Sequence, residues 1–222
     1  MGRSPSSRVY VWDLWVRLCH WGVAAAIALA WFSAEQGVEW SQVHAWSGYA
    51  AIVLITFRVL WGVLGSETAR FSQFLAGPGR VVAYLRHWRQ GEPHRVGHNP
   101  LGGWAAVVLL AVPLAQAVSG LFATDDILFS GPLNPWVGSG TADLLTSLHN
   151  QLFNLVLALV VIHVLAIAAY RLFRGDRLVK PMITGYKDGG AYQPWIAPAR
   201  RALALLAGVV AALVGLLAAA SA

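Results

Sequence analysis

The chain has one cysteine, Cys19. That excludes an intrachain disulfide and disfavours a cluster of thiolate metal ligands. Charge is scarce too: Asp, Glu, Lys and Arg make up 12% of the residues, about half the share of an ordinary soluble domain. A soluble basic face with groove-reading or aromatic elements is missing, so the net charge of +6 does not describe a nucleic-acid binder. Finally, residues 35–43 and 124–147 contain no Lys or Arg at all, although they carry Glu35, Glu39, Asp125, Asp126 and Asp143.

What is present is apolar. Hydrophobic residues reach 57% of 222, more than one small core can hide, so a bilayer is the expected solvent. About 20 apolar residues span a hydrocarbon core of about 30 Å. Five such stretches occur, at approximately 14–34, 44–64, 102–123, 148–170 and 202–220. All sixteen Lys and Arg fall in three segments, 3–17, 58–95 and 171–201. With spans alternating in direction, those three segments share one side, which the positive-inside rule makes the cytoplasm. The expectation is an all-α, multi-pass membrane protein with a cytoplasmic N-terminus. The first span is too long for a signal peptide, and Phe32 is too large for a cleavage site at Ala34, so it is read as retained.

Local signals fill in the connections. Residues 1–8 are polar and expected to fray. Trp12, Trp15 and Trp21 suit a membrane interface. Gly62 and Gly65 suit a helix terminus. GRVVAYLRHWRQ (79–90) reads as an amphipathic piece on the membrane surface, and Pro100 suits a first helical turn. The loop 127–143, rich in Gly, Pro and Ser, is expected to be irregular, with Thr146 or Ser147 capping the fourth span. The fifth span has no titratable group and is expected to pack, not to do chemistry.

Four of the seven histidines, His20, His44, His149 and His163, lie in the apolar spans. An ionisable ring in hydrocarbon is costly and faces a bundle interior or a partner. His149 and His163 are fourteen residues apart on one span, about 40° short of whole turns and about 21 Å apart along the axis. They therefore share a face. By depth, His44 pairs with His149 on the outer side, and His20 with His163 on the inner side. Two stacked pairs of facing imidazoles point to two bis-histidine haems, each a flat apolar ring slotted between helices. Gly48 and Gly22 remove bulk beside His44 and His20. A shared zinc site fails, because the pairs are too far apart and no carboxylate or thiolate completes a shell. A different class remains open: a transporter or scaffold using the histidines for proton movement.

These residues sit in short strings that resemble the prokaryotic cytochrome b561 family, the di-haem b-type membrane cytochromes related to the b-type subunits of nickel–iron hydrogenases and formate dehydrogenases. The strings are R-x-x-H-W at Arg17–Trp21, H-x-W-x-G-Y at His44–Tyr49, F-R-x-x-W-G at Phe57–Gly62, H-N-P-L-G at His98–Gly102, G-L-F-A-T-D-D at Gly120–Asp126, and His149 with His163. The resemblance covers roughly residues 9–190. It implies a four-helix di-haem domain over 1–190, followed by a linker and an additional fifth helix over 191–222. It implies two haem b groups held by one histidine of the first span, one of the second and two of the fourth. A membrane quinone is the implied mobile partner. Opposite it stands a periplasmic redox protein, such as a c-type cytochrome, or a catalytic redox subunit; a homodimer is an open assembly. Arg58 and Arg17 each invite two readings, a propionate contact or snorkelling to the interface. Asp125 and Asp126 are assigned to loop order ahead of partner docking. His98 is read as a solvated residue before the third span, with a quinone or proton path as the other option. Trp46 is read as packing.

Overall fold

The computed structural model describes residues 8–88, 97–125, 127–188 and 192–222. The first seven residues of the tail expected to fray, residues 89–90 of the amphipathic stretch, His94 and Asp126 lie outside the described residues. In chain order the elements are β1 (Arg8–Tyr10), α1 (Leu14–Glu35), α2 (Ser41–Leu64), α3 (Phe71–Phe74), α4 (Pro78–Arg86), α5 (Pro100–Gly120), α6 (Ser139–Arg174), α7 (Val179–Thr184), β2 (Tyr186–Asp188) and α8 (Ala199–Ala220). The five long helices α1, α2, α5, α6 and α8 are each long and apolar enough to cross a membrane. The all-α expectation holds, apart from one antiparallel pair that sets Arg8 opposite Asp188 and Tyr10 opposite Tyr186.

Two compact units divide the chain, and each draws on several helices. The first comprises Met1–Leu18, Leu60–Val108 and Val160–Ala202. Here Asp13 begins α1: its Oδ1 accepts the Val16 amide at 2.9 Å, and its Oδ2 accepts the Trp61 indole N–H at 2.9 Å. Asp13 is 2% exposed and Trp61 fully buried. Tyr84 of α4 bonds the Tyr170 hydroxyl at 2.7 Å and receives Arg174 at 2.9 Å. The Asn99 side-chain amide donates to the same Tyr170 hydroxyl at 3.0 Å. Asn99 Oδ1 also caps α5 through the Gly102 amide, so Pro100 does open that helix. Val82 and Leu85 of α4 stay exposed, the apolar face expected of a surface-lying piece. Burial and its neighbours pull the Tyr84 phenol well above its ordinary range, desolvation first and the Tyr170 hydroxyl second.

A clasp closes the same unit. The Glu67 carboxylate accepts the Tyr192 hydroxyl and, at 3.0 Å, the Trp195 amide. Arg70 and Arg201 lie over the Trp195 ring at 5.2 and 5.6 Å, within cation–π range. Arg201 also donates to the Leu64 carbonyl at 3.0 Å. The segment before α8 is thus tied to the loop after α2.

The second unit comprises Cys19–Val59, Leu109–Leu159 and Leu203–Ala222. Ile52, Leu121, Leu133 and Leu213 form its core, with Leu216 and Leu217 of α8 packed against them. The fifth helix packs, as its lack of titratable groups suggested. A second cluster joins Ala26, Ala51 and Ile55.

Several local expectations change. The fourth span begins nine residues earlier than its assigned start, at Ser139, because the Gly138 carbonyl accepts the Thr141 and Ala142 amides and launches the helix there. Thr146 therefore caps nothing. Its hydroxyl back-bonds to Ala142 at 2.9 Å and accepts the Thr124 amide at 3.1 Å. At 36 residues α6 is about 54 Å long, well beyond the hydrocarbon thickness. The loop before it is ordered, with Gly131 and Leu133 amides bonded to the Ala123 and Leu121 carbonyls. Gly62 lies inside α2, not at its end, and leaves room for the Phe71 ring. Gly65 follows α2 without the positive φ of a left-handed cap; it is small because the Trp61 carbonyl and ring occupy the space.

Candidate functional site

His44 lies on α2 and His149 on α6, both in the second unit. Their ring centres are 6.1 Å apart and their planes stand at 83°. Each ring is fixed by the same device. His44 Nδ1 lies 2.8 Å from the Ala30 carbonyl of α1. His149 Nδ1 lies 2.7 Å from the Gln116 carbonyl of α5. A carbonyl only accepts, so each Nδ1 carries the proton and each Nε2 keeps its lone pair. Four helices thus build the pair, two supplying rings and two supplying carbonyls.

Space around the rings is arranged by glycine. A Cβ on Gly120 would meet His149 Cε1 at 2.8 Å, so only glycine lets that ring lie against the end of α5. At Gly48, one turn from His44, nothing lies within 4 Å of where a Cβ would stand. Gly22 differs: a Cβ there would strike Leu54 at 2.8 Å, so it serves contact between α1 and α2. The Gln116 side-chain amide sits 3.3 Å from His149 Nε2. Sequence reasoning missed Gly120 and Gln116. Gly120 stood inside the quoted G-L-F-A-T-D-D string, but no spacing rule pointed it at His149.

The remaining candidates are placed as follows. His20 lies on α1 in the second unit, edge-on to Trp21 at 4.8 Å, and His163 lies on α6 in the first. Arg58 is 6% exposed, a guanidinium inside the protein and not one reaching to the surface. Arg17 donates to the Ile183 carbonyl at 2.6 Å and to the Tyr10 hydroxyl at 3.4 Å, tying α1 to α7. His98 is half-buried, not fully solvated: its ring lies against Trp12 at 4.6 Å and Phe74 at 4.4 Å, both tilted to it. Trp12 is consequently buried and not at an interface. Trp46 is 63% exposed and touches Tyr49 at 5.6 Å, so it faces outward instead of packing inside. Asp125 is a loop residue, as expected. Its Oδ1 accepts the amides of Ile127, Leu128 and Phe129 at 2.8–3.0 Å, and these hold its carboxyl below the usual range.

A sequence model of prokaryotic cytochrome b561 matches residues 11–185. The chain belongs to that family. It is accordingly a membrane b-type cytochrome, a haem-binding protein of electron transfer. No curated protein and no solved structure matched the chain.

The residues of the His44–His149 pair fit a haem of this b561-family protein. The two rings stand 6.1 Å apart, one on α2 and one on α6. The donor set is two imidazoles with a carbonyl behind each Nδ1 that fixes the tautomer, as metal-ligating histidines have; the Gln116 amide, 3.3 Å from His149 Nε2, would have to give way to an iron there. Among the described residues no three of His, Cys, Asp and Glu gather as a separate metal site.

Proposed function

We propose that this cytochrome carries electrons across the inner membrane through two bis-histidine haem b groups, between the quinone pool and a periplasmic redox partner. That partner is a c-type cytochrome or a catalytic redox subunit. His44 and His149 hold one haem, and His20 and His163 the other. Residues 1–190 form the haem-bearing domain; 191–222 add a linker and an accessory helix. The N-terminus is cytoplasmic. This orientation is supported by the confinement of all sixteen Lys and Arg to 3–17, 58–95 and 171–201.

The observation that carries the reading is the pair of carbonyl-fixed imidazoles 6.1 Å apart. His44 and His149 would hold the haem, which would supply one-electron exchange. The chain's own residues do the rest. Ala30 and Gln116 carbonyls hold the Nδ1 protons and aim the Nε2 lone pairs. Gly120 and Gly48 keep side chains out of the slot. The buried Arg58 guanidinium supplies positive charge against a propionate.

The test is haem content per purified chain, with absorption spectra before and after quinol. Two haems in the parent, reduced by quinol, and one in His149→Ala or His163→Ala is the expected result. A His149→Ala protein that keeps the full complement would refute the assignment, and a parent that quinol leaves oxidised would refute the quinone link.

A further inference from the structure

The two carbonyls that fix the imidazoles have something in common that ligation does not require. Ser33 lies three residues after Ala30, and its hydroxyl donates to the Ala30 carbonyl at 3.0 Å, shared with the Leu29 carbonyl at 2.7 Å. Ser119 lies three residues after Gln116, and its hydroxyl donates to the Gln116 carbonyl at 2.9 Å. Both serines are buried, at 1% and 3% exposure. Ser119 Oγ is 3.4 Å from His149 Nδ1, too long for a good bond, so it reaches the ring through the carbonyl. The arrangement occurs twice, on different helices. In each case the carbonyl accepts a histidine N–H and a serine O–H.

A carbonyl oxygen has two lone pairs. Donors that share it compete, and each bond weakens as others are added. The histidine N–H bond matters because its strength sets how electron-rich the imidazole is, and so how strongly Nε2 donates to a metal. Stronger donation favours ferric over ferrous iron, and hydrogen bonding behind the axial ligand is a known lever on potential. We propose that Ser33 and Ser119 are positioning residues that raise the reduction potential of the haem held by His44 and His149, by drawing on the carbonyls that accept the histidine protons. The inference rests on the haem reading of that pair. Ser119 has the larger effect, because its hydroxyl has one carbonyl partner where that of Ser33 divides between two.

The experiment is a spectroelectrochemical titration of the full-length haem-loaded protein, comparing Ser33→Ala, Ser119→Ala, the double variant and Ser119→Thr. Ferric electron paramagnetic resonance spectra are recorded on the same samples. The expected result is parent haem content throughout and a lower midpoint potential for one of two components. The shift should be larger in Ser119→Ala than in Ser33→Ala and largest in the double variant. Ser119→Thr, which keeps a hydroxyl, should return to the parent potential. The ferric signal of the same haem should move and that of the other should not. An unchanged or raised potential with haem retained overturns the inference, as does loss of haem from the alanine variants, since a hydroxyl that only tunes leaves binding intact. His149→Ala run in parallel separates the two levels. If it retains both haems, the ligand assignment fails; if it loses one while the serine variants stay unshifted, only the tuning role fails.

Discussion

At His149, three contacts decide what the imidazole can do. The Gln116 carbonyl takes the Nδ1 proton, Gly120 leaves room for the ring, and His44 stands 6.1 Å across from it. Gly120→Ala places a methyl 2.8 Å from Cε1, and the ring must turn or α5 must retreat. Overpacking of this kind costs about 1–3 kcal/mol, and here the cost falls on the ligand geometry. Haem assay of Gly120→Ala should show selective loss of the haem proposed at His44 and His149. Gly208→Ala on α8, where nothing lies within 4 Å, should keep full haem and gain roughly 1 kcal/mol of helix stability. Equal haem loss in both would show that Gly120 has no special place. The histidines were legible because an ionisable ring in an apolar run stands out. The glycine that clears one of them was not, since a small residue in a membrane helix has many ordinary uses.

At the level of the helix, Asp13 shows what a cap does when it is also buried. One oxygen stops the first turn of α1 from fraying, and the other satisfies the Trp61 indole of α2. Asp13→Ala should destabilise by about 2–4 kcal/mol, from the lost cap and the orphaned indole donor together. Asp13→Asn should cost less, because it keeps an acceptor for Val16. Thermal melts followed by circular dichroism check the order. An Asp13→Ala melt coincident with the parent would dismiss the cap. The sequence carries the cap signal, an Asp just ahead of an apolar run, but nothing in it shows that the same carboxylate reaches the Trp61 indole. The early start of α6 was hidden for a different reason. Gly138, Ser139 and Gly140 read as turn formers, and only the amides folding back on the Gly138 carbonyl make them a helix start.

Across the molecule, the clasp at Glu67 joins parts of the chain more than a hundred residues apart. The Tyr192 hydroxyl first, and the Trp195 amide second, hold the Glu67 carboxyl below its ordinary range. A value lowered in the folded state means the stabilisation is whole above the ordinary carboxylate range and fades as pH falls through it. The protection factor of the Trp195 amide against hydrogen exchange should therefore fall as pH drops below the ordinary carboxylate range. In Glu67→Gln it should be low at neutral pH already. A protection factor in the parent that ignores pH over that range would refute the clasp. Orientation belongs to the same scale. With the buried Cys19 replaced by serine, an impermeant thiol reagent on intact cells should label Leu128→Cys and spare Arg177→Cys. The reverse pattern would invert the topology.

The sequence by itself determined the solvent, the five spans, the segregation of cations, the family and the four histidines. Each of these is a property of composition, period or spacing along one dimension. Tertiary structure decided the rest. It chose which carbonyl takes each Nδ1 proton, why Gly120 must be glycine, that His98 lies against Trp12 and Phe74, and that Glu67 reaches Tyr192. Those choices depend on the register of one helix against another, to within an ångström. Local periodicity does not encode that register, because it is fixed only when the side chains of separate segments close-pack.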